Sequence, residues 1–288
     1  LLALALLTRA QLSYWQDTTT LFERTLQVSS DNYMAHYALA TGLYENGDLK
    51  GAVEHLKKSV EIYPEYFPTQ TGLGKALAEE GMFDEAEEAL SKALRVGSRF
   101  AEPNNGMGFL RVRQGRLQEA VESFSRALEI DPQMFEATRN LAAVLSQQGK
   151  MDEAIQLYRR VLRMGPGDPV SHHFLAVNLM KRGAVDEAAD HFSQALKYNP
   201  NLAEAHNYLG FLRIRQGRLE EALEHLSQAL EIDPEMIEAQ RNLGNVLYQQ
   251  GKIDEAIESF DRVLELAPND AMTHNNLGVV SLEKGDID

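Results

Sequence analysis

The side chains of this 288-residue sequence best equipped for chemistry are eight histidines, many carboxylates and a set of regularly spaced arginines. Imidazoles ligate transition metals and carry protons, so their spacing matters first. His36, His172, His206 and His274 share one slot of a 34-residue period, and His55, His191 and His225 share another. That period spreads them along the chain instead of gathering them, and neither HExxH nor a Cys/His spacing occurs. Structural or surface histidines are expected, with no metal site. Gly72–Lys75 ("GLGK") and Gly106–Gly108 ("GMG") resemble phosphate loops at a glance, yet a P-loop needs GxxxxGK[ST] after a strand, and these glycines fall on repeat slots inside a helix. The carboxylates of Asp84–Ala89 ("DEAEEA") recur from unit to unit on a polar helix face and read as a solvated exterior. No serine or threonine has a histidine and an acid at a spacing that supports a triad. Neither catalysis nor a cofactor is expected of this chain.

Composition narrows the partners. Asp and Glu number 43 against 28 Lys and Arg, a net charge of −15, whose field repels polyanions and argues against nucleic acid. Cysteine is absent, which removes disulfides and thiolate chemistry. A hydrophobic share of 44% is ample for a core. The apolar run Leu1–Leu7 is far shorter than the roughly 20 residues of a membrane span. The first residue is not Met and the last segment stops mid-pattern, so a piece of a longer protein is expected, with any membrane link residing in upstream sequence.

The elements that position these groups come from a repeat. Gly47, Gly81, Gly115, Gly149, Gly183, Gly217, Gly251 and Gly285 stand 34 residues apart. Alanine follows each of the first seven by five residues, from Ala52 and Ala86 through Ala120, Ala154, Ala188, Ala222 and Ala256. Pro64, Pro132, Pro166, Pro200, Pro234 and Pro268 keep the same phase, with Ser98 in the missing slot. Each unit therefore reads as two amphipathic helices, split by a glycine suited to a left-handed helix end and closed by a proline that cannot continue a helix. One pair cannot bury its apolar face alone, whereas stacked pairs form a solenoid. Gly97–Gly108 is expected to be the least regular stretch, since it lacks the proline and carries Pro103, Gly106 and Gly108 in one first helix. Gly108–Leu162 and Gly210–Leu264 agree at 38 of 55 positions, consistent with duplication of a three-unit block.

The period and its residues resemble the tetratricopeptide repeat (TPR). The resemblance implies an all-α, right-handed α-solenoid of helix–turn–helix units. Seven units are expected at 33–66, 67–100, 101–134, 135–168, 169–202, 203–236 and 237–270, after a cap helix and degenerate half repeat at 1–32 and before a partial eighth at 271–288. Arg111 and Arg213 replace the family's usual first-helix aromatic, which puts packing there in question. In such a superhelix the first helices line a concave groove where ligands lie. On that frame the groove slots hold Asn105, Phe109, Arg113, Arg139 and Asn140, then His173, Lys181, Asn207, Phe211 and Arg215, then Arg241, Asn242, Asn245 and Tyr248. Cations thus gather on the inner face of an acidic protein, and guanidinium suits carboxylate or phosphate oxygens. The alternative is that these arginines pair with Glu102, Glu136, Glu204 and Glu238 and serve solubility. Asn140, Asn242 and Asn276 either clamp a peptide backbone or cap local polar groups.

Leu1–Ala40, with Arg9, Trp15, Asp17, Leu21-Phe22 and Asp31-Asn32, resembles the junction at which O-mannosyltransferase-like polytopic membrane proteins enter a TPR tail. The expected function is a non-enzymatic scaffold that binds a protein or peptide, acidic in character, in its groove. The alternatives are a soluble extracytoplasmic tail of a membrane glycosyltransferase-like protein, and a structural protein that stacks head to tail through uncovered Leu277, Val280 and Leu282. The expected placement is periplasmic or otherwise extracytoplasmic, with the cytoplasm as the alternative.

Overall fold

The computed structural model describes residues 18–285, and all regular structure among them is helical. The chain divides into two compact units, one through Lys150 and one from Met151. The first contains α1 (Thr18–Val28), the pairs α2 (Tyr33–Glu45) with α3 (Leu49–Ile62), α4 (Phe67–Glu79) with α5 (Phe83–Val96) and α6 (Ala101–Arg113) with α7 (Leu117–Ile130), and then α8 (Phe135–Gln147). The second opens on α9 (Met151–Met164). It continues with α10 (Pro169–Arg182) and α11 (Val185–Tyr198), α12 (Ala203–Arg215) and α13 (Leu219–Ile232), and α14 (Ile237–Gln249) and α15 (Ile253–Leu266), and ends on α16 (Ala271–Lys284). Within each unit, the two helices of each complete pair pack on each other and on neighbouring helices, the arrangement of an α-solenoid. No helix among the described residues is long and apolar enough to cross a membrane.

Local chemistry sets the helix ends. The side chains of Asn32, Asp48, Asp168 and Asp270 accept from backbone N–H groups three residues on, at 3.0, 3.0, 3.0 and 2.7 Å. Asp84 and Glu85, Asp186 and Glu187, and Asp254 and Glu255 place negative charge in first turns, where the helix dipole favours it. Between the helices of a pair the chain reverses at the periodic glycine. At Gly183 φ is +87°, its N–H reaches the Met180 carbonyl at 3.0 Å, and the Ala184 N–H reaches back to Leu179 at 2.9 Å. This six-residue closure satisfies carbonyls that the helix end leaves open. The other seven glycines of the slot have φ between +72° and +87°, and no atom lies within 4 Å of where a Cβ would stand on any of the eight. Backbone conformation, not crowding, selects glycine there.

A second set of glycines serves the opposite need. A Cβ at Gly74, Gly108, Gly210 or Gly244 would meet Leu90, Phe124, Leu226 or Phe260 at 2.4, 2.5, 2.8 or 2.6 Å. In each pair the bulky second-helix side chain occupies the space above a first-helix glycine. The fully buried alanines Ala86, Ala120, Ala222 and Ala256 tighten the same contact from the other helix. Ala222→Leu is therefore expected to overpack α13 against α12, where a Cβ on Gly210 would already stand 3.3 Å from the Ala222 carbonyl. The expected cost is about 1–3 kcal/mol, and an unchanged denaturation midpoint would remove this packing scheme.

Three expectations need amendment. The stretch Gly97–Gly108 is not irregular: α6 runs unbroken through Pro103, Gly106 and Gly108. Proline sits in its first turn, Gly106 and Gly108 admit Leu90 and Phe124, and Phe67 packs over Gly97 while stacking on Phe100 at 4.5 Å. Arg111 is packed, not disruptive; its guanidinium clamps Glu87 through two hydrogen bonds of 2.9 and 2.7 Å and bonds Gln114 at 2.8 Å. At α16, Val280 is 1% exposed, and Leu277 packs half-buried in a cluster with Phe260 and Leu247. Of the three residues expected to be uncovered, Leu282 alone is exposed, accompanied by Met272 and Val279.

Candidate ligand-binding face

The helical period brings the expected site residues to the first helices, and the structure shows what each one touches. In the first unit, Asn105 is buried and its Oδ1 accepts from Asn140 Nδ2 at 3.1 Å. Phe109 lies beneath Lys75, whose Nζ is 5.9 Å from the ring centroid. Arg113 reaches the Glu79 carboxylate at 3.4 Å and its backbone carbonyl at 3.3 Å. Arg139 places its guanidinium 5.6 Å from the Phe135 ring centroid.

In the second unit, Asn242 donates to Asn207 at 2.9 Å and Asn276 to Asn245 at 3.0 Å. Arg241 is paired with Asp270 at 3.0 Å, and the Tyr248 hydroxyl donates to Glu283. Phe211 is partly exposed. Lys181 and Arg215 are exposed and form no ion pair among the described residues. His173 is buried between aromatic rings, with Phe192 at 5.6 Å and Tyr208 at 6.1 Å. Burial pushes its pKa down, with the Glu204 carboxylate opposing at 3.5 Å. Its Nδ1 has no hydrogen-bond partner among the described residues.

Two of the four carboxylates that could pair with the arginines go elsewhere. Glu136 binds Lys75 at 2.7 Å and Glu204 faces His173, while Arg113 and Arg241 pair with Glu79 and Asp270. Arg113 and Glu79 occupy one slot in successive repeats, so neighbouring first helices bring them side by side.

The histidine slots, expected to stay apart, converge in pairs. Nδ1 to Nδ1 separations are 2.8 Å for His36–His55, 2.9 Å for His172–His191 and 3.1 Å for His206–His225. In each pair the first-helix imidazole also bonds a backbone carbonyl through Nε2, at 3.1 Å to Ser30, 3.0 Å to Pro166 and 3.1 Å to Pro200. A carbonyl only accepts, so that Nε2 carries the proton and Nδ1 accepts from the second-helix imidazole. Burial, reinforced by the neighbouring histidine, lowers the pKa of His55, His191 and His225. No group of three or more His, Cys, Asp or Glu placed to hold a metal ion occurs among the described residues.

One feature of the face is absent from the sequence reading. In the first unit a cavity of about 420 Å³ opens among α2, α4, α6 and the start of α8, lined by Tyr37, Tyr44, Tyr66 and Phe67 with Lys75, Glu102 and Glu136. The signal for it was Tyr37, Thr41 and Tyr44 at i, i+4 and i+7, one face of α2.

Paired helices joined at left-handed glycines, with polar and aromatic side chains ranged along their first helices, define a helical-repeat scaffold. The chain belongs to the tetratricopeptide repeat family, a scaffold fold typical of protein–protein interaction. One model of the family matches residues 18–67, 105–169 and 175–237, more than half of the chain, and another matches 43–99 and 213–275. Among solved structures, Pseudomonas aeruginosa pilF aligns with a TM-score of 0.64 at 23% identity, over 72% of this chain and 95% of that one. The APC/C hetero-tetramer Cut9–Hcn1 aligns with a TM-score of 0.62 at 22% identity, over 90% of this chain and 51% of that one. The chain thus spans about half the length of that structure. YrrB, described as a TPR protein with an unusual peptide-binding site, aligns with a TM-score of 0.58 at 23% identity, over 69% of this chain and 98% of that one. These likenesses are of fold. No curated protein matches the chain significantly. The stretch likened to a membrane-enzyme junction lies in part in residues 1–17, outside the described residues, and nothing among the comparisons supports it.

Proposed function

We propose that this chain is a non-enzymatic scaffold that holds an extended segment of a protein partner along its first helices. The observation that carries the reading is the series of asparagine pairs, Asn140 to Asn105, Asn242 to Asn207 and Asn276 to Asn245, which recurs in both units. Each asparagine has two N–H donors and an acceptor, and each pair bond uses one donor and one acceptor. The remaining amide groups match the alternating N–H and C=O of an extended backbone. Exposed Lys181 and Arg215 favour acidic side chains opposite the second unit. The likeness to YrrB, whose description names peptide binding, fits the same reading.

The test is selection of peptides from a displayed library on the full chain, followed by affinity measurement on Asn140→Ala and Asn242→Ala. Loss of one or two backbone bonds is expected to weaken binding about tenfold with the circular dichroism unchanged. Failure to select any binder, or equal affinity in all three proteins, overturns the reading. Exposed Met272, Val279 and Leu282 on α16 favour self-association as a second reading. Light scattering decides it: mass rising with concentration supports association, and a constant monomer mass removes it.

A further inference from the structure

We propose that the cavity of the first unit receives a cationic side chain, arginine above all, from the bound partner segment, an inference that rests on the peptide-binding reading. Tyr37 and Tyr44 project from α2, and Tyr66 and Phe67 from the entry to α4, so most of the wall is aromatic. Tyr66 stands edge-on to Tyr37 with centroids 5.8 Å apart, which fixes the rings against each other. The floor is Gly72, where a Cβ would come within 3.2 Å of Leu56 and 3.8 Å of Tyr37. A side chain there would take up the space that the glycine leaves open.

Charge chooses the occupant. Lys75, the one cation lining the cavity among the described residues, is held by Glu136 at 2.7 Å and lies over Phe109. Nearby, Arg113 is held by Glu79 at 3.4 Å. Glu102 lines the cavity as well, and it forms no ion pair among the described residues. The cavity therefore keeps one uncompensated negative charge beside electron-rich ring faces. Burial raises the pKa of the Tyr37 and Tyr44 hydroxyls, and nearby carboxylates add to it, Glu102 at Tyr37 and Glu79 with Glu136 at Tyr44. The field inside is thus negative, the opposite of the acidic-ligand preference read from the inner arginines. A guanidinium satisfies all the elements together: it stacks on a ring, directs N–H groups to a carboxylate, and lays its methylene stem along Leu56 and Met134.

The probes are Nα-acetyl-arginine amide, its neutral isostere Nα-acetyl-citrulline amide, and Nα-acetyl-glutamate amide, each titrated into the full chain and followed by amide NMR shifts at Thr71 and Gly72. The arginine probe is expected to bind about tenfold more tightly than the citrulline probe, and the glutamate probe most weakly. Glu102→Gln, a change at an exposed position, should erase the arginine preference. Equal binding of the arginine and citrulline probes, tighter binding of glutamate, or indifference to Glu102→Gln overturns the proposal. Display-selected peptides separate the two readings. Peptides that bind but tolerate both arginine-to-citrulline exchange and Glu102→Gln sink the cationic pocket and leave the scaffold standing. Arginine-probe binding without any selected peptide does the reverse.

Discussion

Acidification from pH 7 to pH 5 is expected to destabilise the chain, and replacing His55, His191 and His225 with serine is expected to remove most of that loss. Burial lowers the folded-state pKa of all three and of His173 and His206. A group with a depressed histidine pKa binds fewer protons folded than unfolded, so its stabilising contribution is complete above the unfolded value of about 6.5. It declines as pH falls from there through the lowered folded value. Geometry supplies the mechanism. Each second-helix imidazole donates through Nδ1 to its first-helix partner at 2.8–3.1 Å, so charging it places a cation in a partly desolvated site against a second imidazole. Weakening three such sites costs about 3 kcal/mol in total, at roughly 1 kcal/mol each. Serine is a conservative choice, since Ser123 and Ser259 already occupy the slot in other units. Thermal midpoints across this range check it, and parallel curves for parent and triple variant would sink the idea.

The second large effect concerns Arg111. Its side chain is 11% exposed and Glu87, which it clamps, is 43% exposed. Removing a partner of a fully buried pair costs about 3–5 kcal/mol, and solvent screening on the glutamate side reduces this to about 2 kcal/mol for Glu87→Ala. The hydrogen bonds from Arg111 hold the Glu87 pKa below its ordinary value. This contribution is therefore present above the unfolded carboxylate pKa, about 4.3, and fades only as pH falls below it, apart from the histidine window. The related block of the chain supplies a control. Arg213 occupies the equivalent place and keeps the equivalent contacts, Glu221 at 3.3 Å and Gln216 at 2.7 Å, but Ala189 stands where Glu87 would. Its Nε is the atom facing Glu221, a contact without hydrogen-bond geometry, so this guanidinium lacks the two-bond clamp that Glu87 gives Arg111. Ala189→Glu is expected to stabilise the second unit by about 1 kcal/mol. A double-mutant cycle of Glu87→Ala and Arg111→Met should give a coupling of about 2 kcal/mol; a value near zero would show the clamp to be decorative.

Much of the fold was legible because it is local and periodic. The glycine slot announces a left-handed turn, and the alanine slot announces close approach, without knowledge of any partner. The site was legible only by address. The period places Arg113, Arg241 and the asparagines on first helices, yet partners depend on how far a long side chain reaches across a helix contact. Arg241 thus finds Asp270 and not Glu238. Histidines 19 residues apart looked separate because their meeting depends on the packing of two helices within a pair. The aromatic cavity went unseen although Tyr37 and Tyr44 lie on one face of α2, because Tyr66, Phe67, Glu102 and Glu136 join them from three other places in the chain.

The eight turn glycines carry a further consequence. Since each has a positive φ and empty space beyond its α-carbon, replacing any one of them with alanine imposes nearly the same backbone strain, about 1–2 kcal/mol. Eight equal perturbations at a fixed interval act as a ruler for cooperativity. If the chain unfolds as a single block, all eight substitutions lower the same transition by the same amount. If segments melt independently, each substitution moves only the transition of its own segment, and the size of the cooperative unit can be read directly from where the response changes.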